Sequence, residues 1–175
     1  MIVISDTSPI TSLAAVGQLD LLRQLYTKIL IPEAVYRELT ATSTPVPGSI
    51  EVRTFNWIEV RQVKNRSLIA VLLEQQLDEG ECEAIALAIE IDAELLLIDE
   101  RRGRAEADKL GLRITGLLGV LVEAKQKGFI VAVKPVMDDL SYILPKTFLN
   151  RRKNNYVFTT NDQLPRNITG CCWQN

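Results

Sequence analysis

Histidine is absent from this chain. A serine hydrolase needs a base, usually histidine, so that chemistry is excluded, and any metal site must be built from oxygen ligands. Cysteine is scarce, occurring only as Cys82, Cys171 and Cys172. An odd count with one member inside a helical pattern is no disulfide framework, and no pair has the C-x-x-C spacing of a zinc site. Long hydrophobic runs are missing too: none approaches the roughly 18 residues that would cross a membrane. Neither G-x-S-x-G nor G-x-x-x-x-G-K-[ST] occurs, which removes a nucleophile elbow and a P-loop. The start, M-I-V-I-S-D, lacks a basic segment followed by a long apolar stretch. No signal peptide is therefore expected, and the cytoplasm is the expected compartment.

What remains is an ordinary globular composition, with 47% apolar and 24% charged residues over 175 positions. That length supports one domain with a sizeable core. Lys and Arg number 20 against 22 Asp and Glu, a formal net charge of −2. Such a balance does not announce a nucleic-acid binder. The charge is unevenly placed: residues 1–145 hold 15 basic and 21 acidic side chains, and residues 146–175 hold 5 and 1. We read 1–145 as the folded domain and 146–175 as a basic C-terminal tail, expected to be partly disordered.

Strand and helix patterns alternate along the domain. Short apolar runs at 2–5, 28–31, 94–98 and 112–115 read as buried strands, and the alternating run at 57–63 as an edge strand. Helical patterns cover 7–16, 18–26, 32–39, 66–77, 80–91, 103–110 and 117–127. A last helix is expected from Pro135 to about Leu144, and 41–49 is a loop by composition. Asp78 is a candidate N-cap, and Gly111 and Gly128 close two helices. Such alternation predicts parallel βαβ units, hence a three-layer α/β/α sandwich around a central parallel sheet.

Four carboxylates then stand out: Asp6, Glu38, Glu81 and Asp99. Asp6 and Asp99 end apolar strands, and Glu81 opens a helix. Open α/β sheets bind ligands at that end. Three of these acids also have an ordinary use, and Asp99, beside Glu100 at a strand end, is the hardest to dismiss. Asp6 suits an N-cap, Glu38 a solvated helix face, and Glu81, three residues after Asp78, a capping box. Glu83 is the runner-up to Glu81; residues two apart on a helix point about 200° from each other, so both acids aim at one site only if the helix starts late. Acids crowded into one crevice repel each other and stay ionised together only with cations among them. Oxygen ligands suit Mg²⁺ or Mn²⁺. The arginines that follow, Arg101, Arg102 and Arg104, are either a solvated helix start or a clamp for phosphate oxygens.

The stretches I-V-I-S-D-T-S-P-I, I-L-I-P-E-A-V-Y-R-E-L, L-D-E-G-E-C-E-A-I-A-L-A, L-L-L-I-D-E-R-R-G-R-A-E-A and L-R-I-T-G-L-L-G-V-L-V-E-A-K-Q-K-G follow one another over about residues 2–130. Together they resemble the PIN-domain proteins, and within them the bacterial branch similar to VapC-type toxins. The resemblance implies a parallel sheet flanked by helices and a divalent-metal ribonuclease site. It implies Asp6, Glu38, Glu81 and Asp99 as catalytic acids, with Asp6, Glu81 and Asp99 holding Mg²⁺ or Mn²⁺. Glu83, Glu100, Thr7, Ser8 and Thr115 are secondary candidates. It further implies an RNA substrate, a small antitoxin partner and a homodimer, for which the apolar helices at 66–77 and 117–127 offer surfaces. The alternative is a catalytically inactive PIN-like module that binds protein or nucleic acid.

Overall fold

Along each strand, successive side chains enter two different cores. Val3, Ile29, Ile31, Leu95 and Leu97 belong to one apolar cluster, while Ile4, Leu30, Leu96 and Ile98 belong to another. This period of two in strands that are apolar throughout is the mark of a sheet covered on both faces. In the computed structural model, which describes residues 1–41 and 45–143, the chain runs β1 (Val3–Ser5), α1 (Thr7–Ala15), α2 (Asp20–Tyr26), β2 (Ile29–Pro32), α3 (Glu33–Thr40), α4 (Glu51–Thr54), β3 (Ile58–Arg61), α5 (Arg66–Glu74), α6 (Glu79–Glu90), β4 (Leu95–Leu97), α7 (Arg101–Lys109), β5 (Ile114–Thr115), α8 (Leu117–Gln126) and α9 (Val133–Ile143).

All strand pairs are parallel, and the order across the sheet is β3-β2-β1-β4-β5. Helices α1, α2, α8 and α9 pack on one face through Ile10, Leu13, Leu22, Val120, Leu121 and Leu140. Helices α5, α6 and α7 cover the other through Ile69, Leu72, Ile85, Leu87 and Ala107. The expected α/β/α sandwich is therefore the observed fold, with β3 at one edge. Strand order reverses between β1 and β4, and that reversal opens a crevice at their carboxyl ends. Ser5 pairs with Leu97, and the Asp6 amide still donates to the Leu97 carbonyl at 2.9 Å. Asp6 and Asp99 thus leave neighbouring strands at the same end of the sheet.

Local departures from expectation have simple causes. The last helix begins at Val133 rather than after Pro135. Proline is tolerated there because first-turn N–H groups have no intrahelical acceptor. Helix α7 begins at Arg101, so Gly103 is inside it. The four-residue α4 has too little periodicity to read from sequence. The expected dimer surface on α8 is largely spent, since Leu117, Val120, Leu121 and Ala124 are buried, whereas α5 leaves Val71 and Leu73 exposed. The tail 146–175, and part of the loop 41–49, lie outside the described residues. Among those described, no helix is long and apolar enough to cross a membrane.

Candidate metal centre

Helix α6 supplies the centre of the site. Its residues Gly80 to Ala88 are all buried, because the helix is wedged between the sheet and its neighbours α3, α5 and α7. Two acids, Glu81 and Glu83, lie inside this run. Buried carboxylates need partners or must shed their charge, and these two meet that requirement differently.

Glu81 is 3% exposed and closes a capping box. Its backbone N–H donates to Asp78 Oδ1 at 2.8 Å, and its Oε2 accepts from the Asp78 N–H at 3.2 Å. Its other oxygen, Oε1, is buried without a hydrogen-bond partner. That atom lies against Gly103 of α7, where an added Cβ would stand 2.6 Å from it. Burial, then the charges of Asp78, Glu100 and Glu38, push the Glu81 carboxyl up from 4.5 to about 7.

Asp6, at the carboxyl end of β1, is 3% exposed and N-caps α1, accepting weakly from the Ser8 N–H at 3.5 Å. Its carboxyl is held well above the usual range by burial first, then by the charges of Asp78, Glu81 and Glu38. Glu38 comes from α3. It is exposed as a residue, yet its carboxylate accepts from the Thr7 hydroxyl and lies 2.9 Å from where a Cβ on Gly80 would stand. Burial, with Asp78 and Glu79, raises its pKa against the lowering pull of Thr7. Asp99, at the end of β4, is 9% exposed and accepts from the Leu117 N–H at 2.9 Å, so it caps α8 from a neighbouring strand. A Cβ on Gly116 would stand 2.6 Å from its Oδ1. Three glycines thus provide the room in which three of the acids sit.

Asp6, Glu38 and Glu81 therefore act on one another electrostatically, and Asp78 joins them. Sequence reasoning read Asp78 as a cap only, although it obeys the same helix-start rule as Glu81. Asp99 stands on the far side of the strand-order reversal. Glu100 occupies the N-cap position of α7 and contributes charge to Glu81. Among the described residues, no three Asp, Glu or Cys side chains are gathered into a group able to hold an ion as they stand.

The secondary candidates divide. Thr7 orients Glu38, and the Ser8 amide serves Asp6. Thr115 ends β5 and packs on Gly119 at the start of α8. Glu83 faces α3, away from Glu81, and takes the Ala34 N–H at 2.8 Å. Arg101 and Arg102 are exposed, the latter donating to Gln76 Oε1. Arg104 is half-buried and donates to the Ile98 carbonyl at 3.0 Å, beside Asp99 against Gly116.

An all-oxygen donor set, a buried carboxylate oxygen lacking a partner and mutually raised acids fit a hard divalent cation. Residues 2–151 match the family described as DUF3368, PIN domain. Among solved structures, the chain is similar to a PilT N-terminus domain protein from the hyperthermophilic archaeon Sulfolobus solfataricus P2, at a TM-score of 0.50 and 18% identity, covering 71% of this chain and 93% of that one. That likeness is one of fold. No curated protein matches the chain.

Proposed function

The chain belongs to the PIN-domain family, and on that premise we propose that it is a divalent-metal-dependent endoribonuclease, the toxin of a toxin–antitoxin pair. The observation that carries this reading is the crowd of like charges at the carboxyl end of the sheet: Asp78, Glu81 and Glu38 raise the proton affinity of Asp6, Asp78 also raises that of Glu38 and Glu81, and Glu81 Oε1 is buried without a partner. A cation relieves both conditions at once.

In this reading Asp6, Glu81 and Asp99 hold Mg²⁺ or Mn²⁺, with Glu38 as a ligand directly or through water. Such an ion makes water at the site more acidic and offsets the charge that gathers on a phosphodiester under attack. The chain does the rest. Thr7 orients the Glu38 carboxylate. The capping box fixes one oxygen of Glu81 and leaves the other for the ion. The Leu117 amide orients Asp99. Exposed Arg101 and Arg102 meet the RNA backbone, while Arg104 steadies the β4 end through the Ile98 carbonyl. The protein acts in the cytoplasm as a homodimer through α5, whose Val71 and Leu73 are exposed. A small antitoxin silences it by placing a basic side chain among the acids.

One observation favours the rival, an inactive binding module: among the described residues, no three acids are grouped so as to hold an ion as they stand. Calorimetric titration of Mn²⁺ into the metal-free protein, with RNA cleavage by the wild type, Asp6→Asn and Asp99→Asn, separates the two. We expect stoichiometric Mn²⁺ uptake, and cleavage lost in both folded variants. Absence of uptake, or undiminished cleavage by either variant in nuclease-free preparations, would overturn the enzymatic reading.

A further inference from the structure

We propose that Glu83 is a positioning residue, which pins α3 to α6 and thereby sets where Glu38 stands relative to Glu81. Its effect on the site rests on the metal-nuclease reading; the pinning itself does not.

The N-cap of α3 is Pro32, which has no side-chain acceptor for the helix's first N–H groups, and no side-chain cap is present. Those groups need partners from elsewhere. Glu83, 1% exposed, provides one: its Oε2 accepts from the Ala34 N–H at 2.8 Å. Its Oε1 faces Arg66 Nη1 at 3.4 Å and Arg37 Nη2 at 3.8 Å. Both oxygens are therefore engaged within the protein. Arg37 continues from Glu83 to Glu79 of α6, at 2.6 Å.

The contacts form a register. Ala34 meets Glu83, Arg37 meets Glu79, and the Glu38 carboxylate lies against Gly80. The two helices thus run antiparallel. Ala34 and Glu38 are four apart on one helix and share a face; Gly80 and Glu83 are three apart on the other and do likewise. One turn of α3 therefore separates the clamp from the candidate ligand. A slip at Ala34 is transmitted to Glu38, because an α-helix moves as a unit over one turn.

The test uses the full metal-free chain as wild type, Glu83→Gln and Glu83→Ala, with Mn²⁺ affinity from calorimetry and Ala34 amide protection from hydrogen exchange. In Glu83→Gln the amide oxygen still accepts from Ala34, so both readouts stay near wild type. In Glu83→Ala we expect Ala34 to lose protection and Mn²⁺ to bind about 10-fold more weakly, the typical effect of losing a residue that holds a ligand in place. Equal Mn²⁺ losses in both variants would make Glu83 a ligand and overturn the proposal. So would wild-type affinity or wild-type Ala34 protection in folded Glu83→Ala. If Glu83→Ala does not fold, Glu83→Gln decides, since loss of Ala34 protection there contradicts a clamp made by the carbonyl oxygen. Should the wild type itself take up no Mn²⁺, the metal reading fails, and amide exchange still decides the clamp.

Discussion

A proton on Glu81 is the smallest event with a measurable consequence. The folded protein holds that proton until about pH 7, against an ordinary 4.5, chiefly because the carboxyl is buried. Between those values the folded state binds more protons than the unfolded one, so stability falls as pH rises. The stabilising contribution is complete below the unfolded pKa and is lost on passing the folded one. Asp6 and Glu38, raised in the same direction, add to the slope. We expect the metal-free protein to unfold more easily at pH 8 than at pH 5, and saturating Mn²⁺ to flatten the difference. Thermal unfolding at several pH values with and without Mn²⁺ checks this; a metal-free midpoint that rises with pH would contradict the raised values. At this scale much was legible. Asp6 and Asp99 end apolar strands, and that placement is visible in the letters. The different surroundings of Glu81 and Glu83 were not, because they depend on which neighbour each side of the buried stretch of α6 meets: α7 with Gly103 for one, α3 with Ala34 for the other.

At the scale of elements, α6 both opens on a capping box and carries the candidate ligand Glu81, and the two uses compete. Asp78 and Glu81 form the capping box, yet Asp78 is also the largest charged contribution to the raised pKa of Glu81 and of Asp6. Asn caps a helix about as well as Asp. Asp78→Asn should therefore keep the cap, remove one repelling charge and raise the metal-free melting temperature at pH 8. A lower melting temperature there would show that the charge is not repelling its neighbours. Gly103 makes a second case. Ala is favoured over Gly in a helix interior by up to about 1 kcal/mol, but a Cβ at 103 would stand 2.5 Å from Ile98 Cδ1 and 2.6 Å from Glu81 Oε1. Overpacking of this kind costs about 1–3 kcal/mol, so at the full propensity gain the net loss of stability should be about 0–2 kcal/mol. The Glu81 carboxylate must move, however, and a misplacement of about 1 Å can cost ~100-fold in rate. Gly103→Ala should thus lose cleavage far out of proportion to stability. Equal activity in the two proteins would remove Glu81 from the site. Sequence alone marked the capping box from its spacing, but it placed Gly103 at the start of a helix that in fact begins two residues earlier, so its packing role was hidden.

For the whole molecule, the decisive feature is the strand order β3-β2-β1-β4-β5. The alternation of strands and helices was readable, since each run is short, apolar and bounded by turn residues. The reversal between β1 and β4 was not, because nothing local in a strand says on which side of the sheet its successor will lie. That reversal brings Asp6 and Asp99, 93 positions apart in sequence, to one end of the sheet. It also leaves an acidic crevice on a chain whose net charge is −2, so any grip on RNA must come from local cations rather than from the field of the whole protein. Each phosphate contact on single-stranded nucleic acid contributes about −0.7 to the slope of log affinity against log salt. Arg101 and Arg102 are exposed at the start of α7, whereas Arg104 is committed to the Ile98 carbonyl. Replacing both Arg101 and Arg102 with Gln should make the salt dependence of RNA binding shallower by roughly 1.4, two contacts at that value. The Asp6→Asn background, expected not to cleave, allows this to be measured by fluorescence anisotropy. Replacing Lys146, Arg151, Arg152 and Lys153 with Gln tests the basic tail in the same way. An unchanged slope after loss of the α7 arginines, with a large change after loss of the tail charges, would move the RNA path from the start of α7 to the C-terminal segment.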